Sequence, residues 1–278
     1  MKKLFKRSIK NRKVKAALSL QNKNFFWNPH DGIPNIGDYL AFETVNYILN
    51  LRDKHCSDIR NGKILSIGSV LHFAKDNDVI WGTGKNGKIL ESQHTFSNID
   101  VRAVRGPKTR QYLIEKGIDV PEVYGDPGIL APFIYPADKI NFGISKRSEF
   151  LIVPQLNDDI SIYKSHLEKL VTPRQLPASF IFQLVNANKV ITSSLHGLIL
   201  AESFGIPAVY FNSGSGEDIF KYQDYYLGTG RNEFAIGNSI EECMDLTTSQ
   251  IPDLMERQLR LIEAFPFDRY ETLTNAPL

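Results

Sequence analysis

One stretch constrains the fold more than any other: Lys189 to Tyr210, KVITSSLHGLILAESFGIPAVY. Val190, Ile191 and Thr192 are β-branched, and a Ser-Ser pair then opens a segment with Leu195, Leu198, Ile199 and Ser203 at helical spacing. That segment stops at Gly205 and Pro207, so the pattern predicts strand, sharp turn, helix, strand. The turn puts Ser193, Ser194, Leu195 and His196 at the carboxyl end of a buried strand and the amino end of a helix. Unpaired backbone N–H groups and the helix dipole favour an anion there.

The same alternation runs along the rest of the 278 residues. Phe25–Trp27 opens the first expected strand, and a loop punctuated by Gly32, Pro34 and Gly37 leads to a helix over Tyr39–Asn50 with Asp38 as its cap. Strands are expected at Lys63–Ile67, Val79–Trp81, Val101–Val104 and Val120–Tyr124, and a helix from Gly106-Pro107 to Lys116. A polar stretch around 135–149 separates this set from a second one. The second holds strands at Phe150–Val153, Lys189–Thr192 and Ala208–Phe211, and helices at Pro177–Ala187, Glu217–Leu227 and Ile251–Phe265. The expected architecture is α/β, with two Rossmann-like parallel-sheet domains facing a cleft. Its units are a basic arm at 1–23, an N-terminal domain at 24–140 and a C-terminal domain at 146–278 with a closing helix.

Charge is distributed unevenly. Residues 1–23 carry nine Lys or Arg and no acid, which leaves 24 basic against 31 acidic residues in the remainder. Basicity confined to an arm argues against nucleic acid as the partner. The arm either lies on an anionic membrane surface, at about 1 kcal/mol per basic residue near the lipid, or is a solvated tail. It lacks the apolar segment of a signal peptide, and no apolar run approaches a membrane span. Cys56 and Cys243 are two and far apart, which fits a reducing compartment, and the scattered histidines have no metal-ligand spacing.

His196 is the leading candidate for chemistry, because imidazole gives and takes protons near neutral pH. Ser193 and Ser194 lack the flanking glycines of a nucleophile elbow and are suited to capping or anion binding. Arg105, at the exit of a strand, can grip a carboxylate or phosphate in two-pronged fashion, or form an ion pair. Asp38 and Asp126 each follow a glycine after a strand and are either caps or carboxylates that orient a sugar hydroxyl. Lys221 lies among Tyr222, Tyr225 and Tyr226, a composition shared by sugar-stacking surfaces and ordinary packed helices.

Six motifs in order resemble the polysaccharide pyruvyl transferase family, in its bacterial exopolysaccharide and capsule branch of succinoglycan type. They are NIGD at Asn35–Asp38, GTG at Gly82–Gly84, VRGPKTR at Val104–Arg110, GDPGIL at Gly125–Leu130, SSLHG at Ser193–Gly197 and FKYQDYY at Phe220–Tyr226. The resemblance implies a fold similar to GT-B glycosyltransferases and a reaction in which phosphoenolpyruvate donates its pyruvyl group to a sugar as a cyclic ketal. Phosphoenolpyruvate is then a co-substrate, and no cofactor is implied. The acceptor would be carried on undecaprenyl diphosphate, placing the protein in the cytoplasm, with the arm at the inner leaflet. His196 would be the general acid/base, and Arg105 with Ser193, Ser194 and Leu195 would hold the donor. Asp38, Asp126 and Tyr225 would serve the acceptor. Some relatives carry an arginine where this chain has Ser194, so Lys221 or Arg231 is expected to supply the missing cation. Relatives often have histidine where this chain has Gln155. The rival readings are a nucleotide-sugar glycosyltransferase of the same architecture and a catalytically silent carbohydrate-binding protein.

Overall fold

The structure, a computed structural model, describes residues 35–52, 59, 61–140 and 147–270. The basic arm, the strand expected at Phe25–Trp27, Cys56 and residues 141–146 of the expected boundary lie outside the described residues. The alternating pattern produces two parallel sheets. The first contains β1 (Ile64–Leu65), β2 (Val79–Trp81) and β3 (Asp100–Ala103) in that order. The second contains β4 (Leu151–Val153), β5 (Val190–Thr192), β6 (Ala208–Phe211) and β7 (Ile236–Gly237), also in chain order. Val79–Trp81, Val190–Thr192 and Ala208–Phe211 are buried throughout, as apolar runs are in parallel sheets covered on both faces.

The helices packed on these sheets include α1 (Ile36–Asn50), α2 (Pro107–Glu115), α3 (Pro177–Leu184), α4 (Leu195–Ser203), α5 (Phe220–Gly228), α6 (Ile240–Asp245) and α7 (Met255–Glu263). Two expectations shift. The first helix starts at Ile36, with extended Asn35 before it, so Asp38 lies in the first turn instead of capping it. The fully buried Ile36 draws the start forward, its N–H donating to Pro173 O at 2.9 Å. The segment Val120–Tyr124 forms only a single bridge, Tyr124 to Val104. Pro121 has no N–H to give a ladder.

The apolar core is continuous across both sheets. One cluster joins Ile36, Ile64, Trp81 and Ala103 to Val153, Leu184, Leu198 and Leu261. The closing helix returns to the first sheet, where Trp81 Nε1 donates to Leu261 O at 2.8 Å. Asp100 of β3 is gripped by Arg102 and Arg269 beside it. No described helix is long and apolar enough to cross a membrane. The carboxyl ends of both sheets open on one cleft.

Candidate active site

The Ser-Ser-Leu-His turn is built from the strand outward. Thr192 Oγ1 donates to Val153 O at 2.8 Å and accepts from Ser194 N–H at 2.9 Å, which fixes the bend after β5. Ser194 Oγ then caps α4, accepting from Gly197 N–H at 3.3 Å. Gly197 lets the helix sit this close. A Cβ there would come 2.4 Å from Thr192 Oγ1 and 2.8 Å from Val153 Cγ1. His196 is thereby held on the first turn, pointing away from its own sheet.

Its ring lies against the first half of the chain. A Cβ on Gly37 would come 2.4 Å from both Cε1 and Nδ1 of His196, and one on Gly68 would come 3.5 Å from Cε1. The NIGD motif and the loop after β1 therefore form a slot for the imidazole. Nε2 is buried and has no hydrogen-bond partner among the described residues. Burial lowers the His196 pKa, the Asp126 carboxylate opposes that, and the Lys221 and Arg105 cations add to the lowering. The ring is neutral at neutral pH and able to accept a proton.

The cleft around it has a volume of about 320 Å³. One wall brings Asp38 from α1 and Ser69 and His72 from the loop after β1, and the other brings Gln155, Ser194, His196, Glu217 and Lys221. Among the expected residues, Asp38, Ser194, Leu195, His196 and Lys221 meet here. Lys221 is ion-paired with Glu217, which also takes Lys88 and accepts from Gln155 Nε2 at 3.2 Å. Burial lowers the Lys221 pKa and Glu217 only partly offsets it. Burial works to raise the Glu217 pKa, but the two lysines outweigh it and hold the carboxyl below its ordinary range.

Other expected residues are placed elsewhere. Ser193 is spent on structure: its Oγ accepts from Gln155 N–H at 2.9 Å and is hydrogen-bonded to Asp158, and its carbonyl accepts from the Tyr222 hydroxyl. Arg105 is fully buried behind the cleft wall. Its Nε donates to Asp224 Oδ2 at 3.0 Å, Nη1 to Ser69 Oγ at 2.6 Å and Nη2 to Lys85 O at 2.8 Å. The second oxygen of Asp224 accepts from Thr109 N–H at 3.0 Å. Three glycines make this joint possible. A Cβ on Gly84 would come 2.3 Å from Arg105 Cζ, one on Gly106 would come 1.8 Å from Asp224 O, and one on Gly228 would come 2.5 Å from Arg105 O. The GTG, VRGPKTR and FKYQDYY motifs thus meet in one buried ion pair, and through Ser69 it supports the cleft.

Asp126 is also buried behind the wall, accepting from Gly68 N–H at 3.1 Å and Gly128 N–H at 2.9 Å. It fixes the loop that backs His196. Tyr225 and Arg231 are not brought to the cleft. The buried Tyr225 hydroxyl donates to Glu202 Oε2 at 2.8 Å, and Arg231 grips the same carboxylate with two bonds of 2.7 Å. The aromatic segment is packed helix on this side, with the Arg231 guanidinium 4.1 Å over the Tyr226 ring.

Two titratable lining residues, His72 and Glu217, are not marked as site residues by the sequence. His72 follows Gly68 by four residues, beyond the exit of β1, and its Nδ1 is buried without a partner among the described residues. Burial lowers its pKa. Sequence marks Glu217 only as the start of a helix, which begins instead at Phe220. Among the described residues, no three His, Cys, Asp or Glu side chains converge to hold a metal ion.

Residues 35–215 match the family model described as polysaccharide pyruvyl transferase. The chain belongs to that family. Among relatives, it is 27% identical over 209 residues to Uncharacterized protein L143 of Acanthamoeba polyphaga mimivirus, covering 69% of this chain and 65% of that one. It is 24% identical over 214 residues to Succinoglycan biosynthesis protein ExoV of Rhizobium meliloti, covering 73% of this chain and 63% of that one. The matches therefore span just under two thirds of the length of these relatives. An uncharacterized Klebsiella pneumoniae protein of known crystal structure superposes with a TM-score of 0.44 at 12% identity, covering 79% of this chain and 92% of that one. Family membership and the ExoV relationship support the succinoglycan-like branch indicated by the six motifs.

Proposed function

We propose that this pyruvyl transferase moves the pyruvyl group of phosphoenolpyruvate onto two hydroxyls of a sugar, forming a cyclic ketal in exopolysaccharide or capsule synthesis. The observation that carries the reading is the neutral His196 ring, with Nε2 unpartnered among the described residues, on a cleft formed by both halves of the chain. Ketal formation from an enol phosphate needs such a group. A proton must be added to the methylene carbon while a sugar hydroxyl attacks the central carbon and loses its own proton. His196 takes the hydroxyl proton and delivers one to the methylene. Phosphate then leaves, and the second hydroxyl closes the ring with release of its proton.

The first-turn N–H groups of Leu195 and His196 and the Lys221 ammonium face the anionic donor. Asp38, on the opposite wall, orients the acceptor. Arg105 and Asp126 act as positioning residues, the one through Ser69 and the other through Gly68. The proposal includes a GT-B-like arrangement of the two sheets, an acceptor on undecaprenyl diphosphate, and a cytoplasmic protein whose arm at 1–23 rests on the inner leaflet.

Donor choice tests the reading. Phosphoenolpyruvate, offered beside a panel of nucleotide sugars, should release inorganic phosphate in the presence of acceptor. Release of a nucleoside diphosphate would instead identify a glycosyltransferase.

A further inference from the structure

Glu217 is held in the cleft as a bound anion would be. Its carboxylate pairs with Lys88 from the loop after β2 and with Lys221 on α5, and accepts from Gln155 Nε2 at 3.2 Å from the loop after β4. The three donors come from three separate segments and converge on one carboxylate. That carboxylate carries a single negative charge against two ammonium groups, whereas a phosphoryl dianion would match both. The approach to Glu217 is anchored at Ser213, whose Oγ donates to Asp158 Oδ1 at 2.7 Å, and is flanked by two glycines with room around them. Gly214 and Gly216 have φ of +71° and +72°, and a Cβ at either would meet nothing within 4 Å. Ser215 between them accepts from the same Gln155 Nε2 at 3.3 Å, so the loop and the carboxylate share one donor.

We propose that Lys88, Lys221 and Gln155 form a phosphoryl-binding subsite which Glu217 occupies in the free protein and leaves when a phosphoryl group enters. The subsite rests on the ketal-transfer reading only for the identity of its occupant, which is the phosphate of the enol donor or the diphosphate of a lipid carrier. The subsite also gives the cleft its positive charge. Two cations are already there, and the internal carboxylate masks them until substrate arrives.

Calorimetric titration of the full chain with inorganic phosphate tests this without requiring turnover. Glu217→Gln keeps the shape of the side chain and removes the competing charge, so phosphate should bind roughly tenfold more tightly than to the wild type. Unchanged or weaker binding would overturn the proposal. Lys88→Gln changes a partly exposed side chain and carries the test should Glu217→Gln fail to fold. It should weaken phosphate binding about threefold, and an unaltered affinity would equally overturn the subsite. Parallel titrations of Glu217→Gln with phosphoenolpyruvate and with inorganic pyrophosphate distinguish the sources, because the larger gain in affinity names the occupant. If these affinities move as expected while phosphoenolpyruvate is never turned over, the subsite stands and the ketal-transfer reading falls.

Discussion

The exits of β3 and β5 present the same signal in sequence and opposite outcomes in structure. At each, a side chain capable of chemistry sits beside a glycine where strand gives way to helix. At β3, Arg105 spends its donors on Asp224, Ser69 and Lys85 and is sealed from solvent. At β5, His196 reaches the cleft with Nε2 unpartnered among the described residues. A strand-end position makes a residue available for function, and what remains of its bonding capacity decides whether it is used. The histidines differ by place instead: His94 has its Nδ1 bonded to the Tyr112 hydroxyl and its Nε2 buried without a partner among the described residues, but it does not line the cleft, and His196 does.

The largest effect expected from this contrast is on stability. Arg105→Ala leaves the fully buried Asp224 without its cation, a loss of about 3–5 kcal/mol for a broken buried pair. Urea denaturation should show it, and an unchanged midpoint would mean that Arg105 does not hold the two halves together. Next comes the acid response. His94 is pushed down to about 4 by burial first and then by nearby His72, Lys85 and Lys116. A depressed histidine contributes its stability above the unfolded pKa of roughly 6.5 and loses it as pH falls, up to ~3 kcal/mol here. The wild type should therefore weaken steadily between pH 6.5 and about 4, and His94→Asn should flatten that slope. An identical slope in the variant would place the acid sensitivity elsewhere.

The third effect belongs to the β5 side. Gly37→Ala puts a methyl group where the His196 ring lies, 2.4 Å from Cε1 and Nδ1, while improving helix propensity. Turnover should fall by roughly 10- to 100-fold for a displaced catalytic group, with a stability loss of about 1–3 kcal/mol from the forced contact. Activity at the wild-type level would show that the slot does not position the imidazole.

Much of this was legible before any coordinates. Apolar runs bounded by glycine mark six of the seven strands, the short Ile236–Gly237 excepted, and the SSLHG spacing marks the cap, the turn and the histidine. The role of Arg105 was not legible, because Asp224 is 119 residues away and no spacing rule connects them. Tyr225 and Arg231 were misplaced for a related reason. Their common partner, Glu202, lies on the buried face of α4, where an acidic residue in an apolar helix gives no hint of what it meets. Glycines were legible as turns, yet at Gly37, Gly84, Gly106 and Gly228 their use is close approach, which only the fold reveals.

The central claim is that the unspent imidazole performs the chemistry while the arginine joint holds the cleft. Mass spectrometry of a lipid-linked sugar acceptor incubated with phosphoenolpyruvate tests it most directly, comparing wild type with His196→Ala at matched folded concentration. The account predicts a pyruvyl ketal on the acceptor with the wild type and none with the variant, whose urea midpoint stays close to that of the wild type. Ketal formation by a folded His196→Ala protein at the wild-type rate would contradict it.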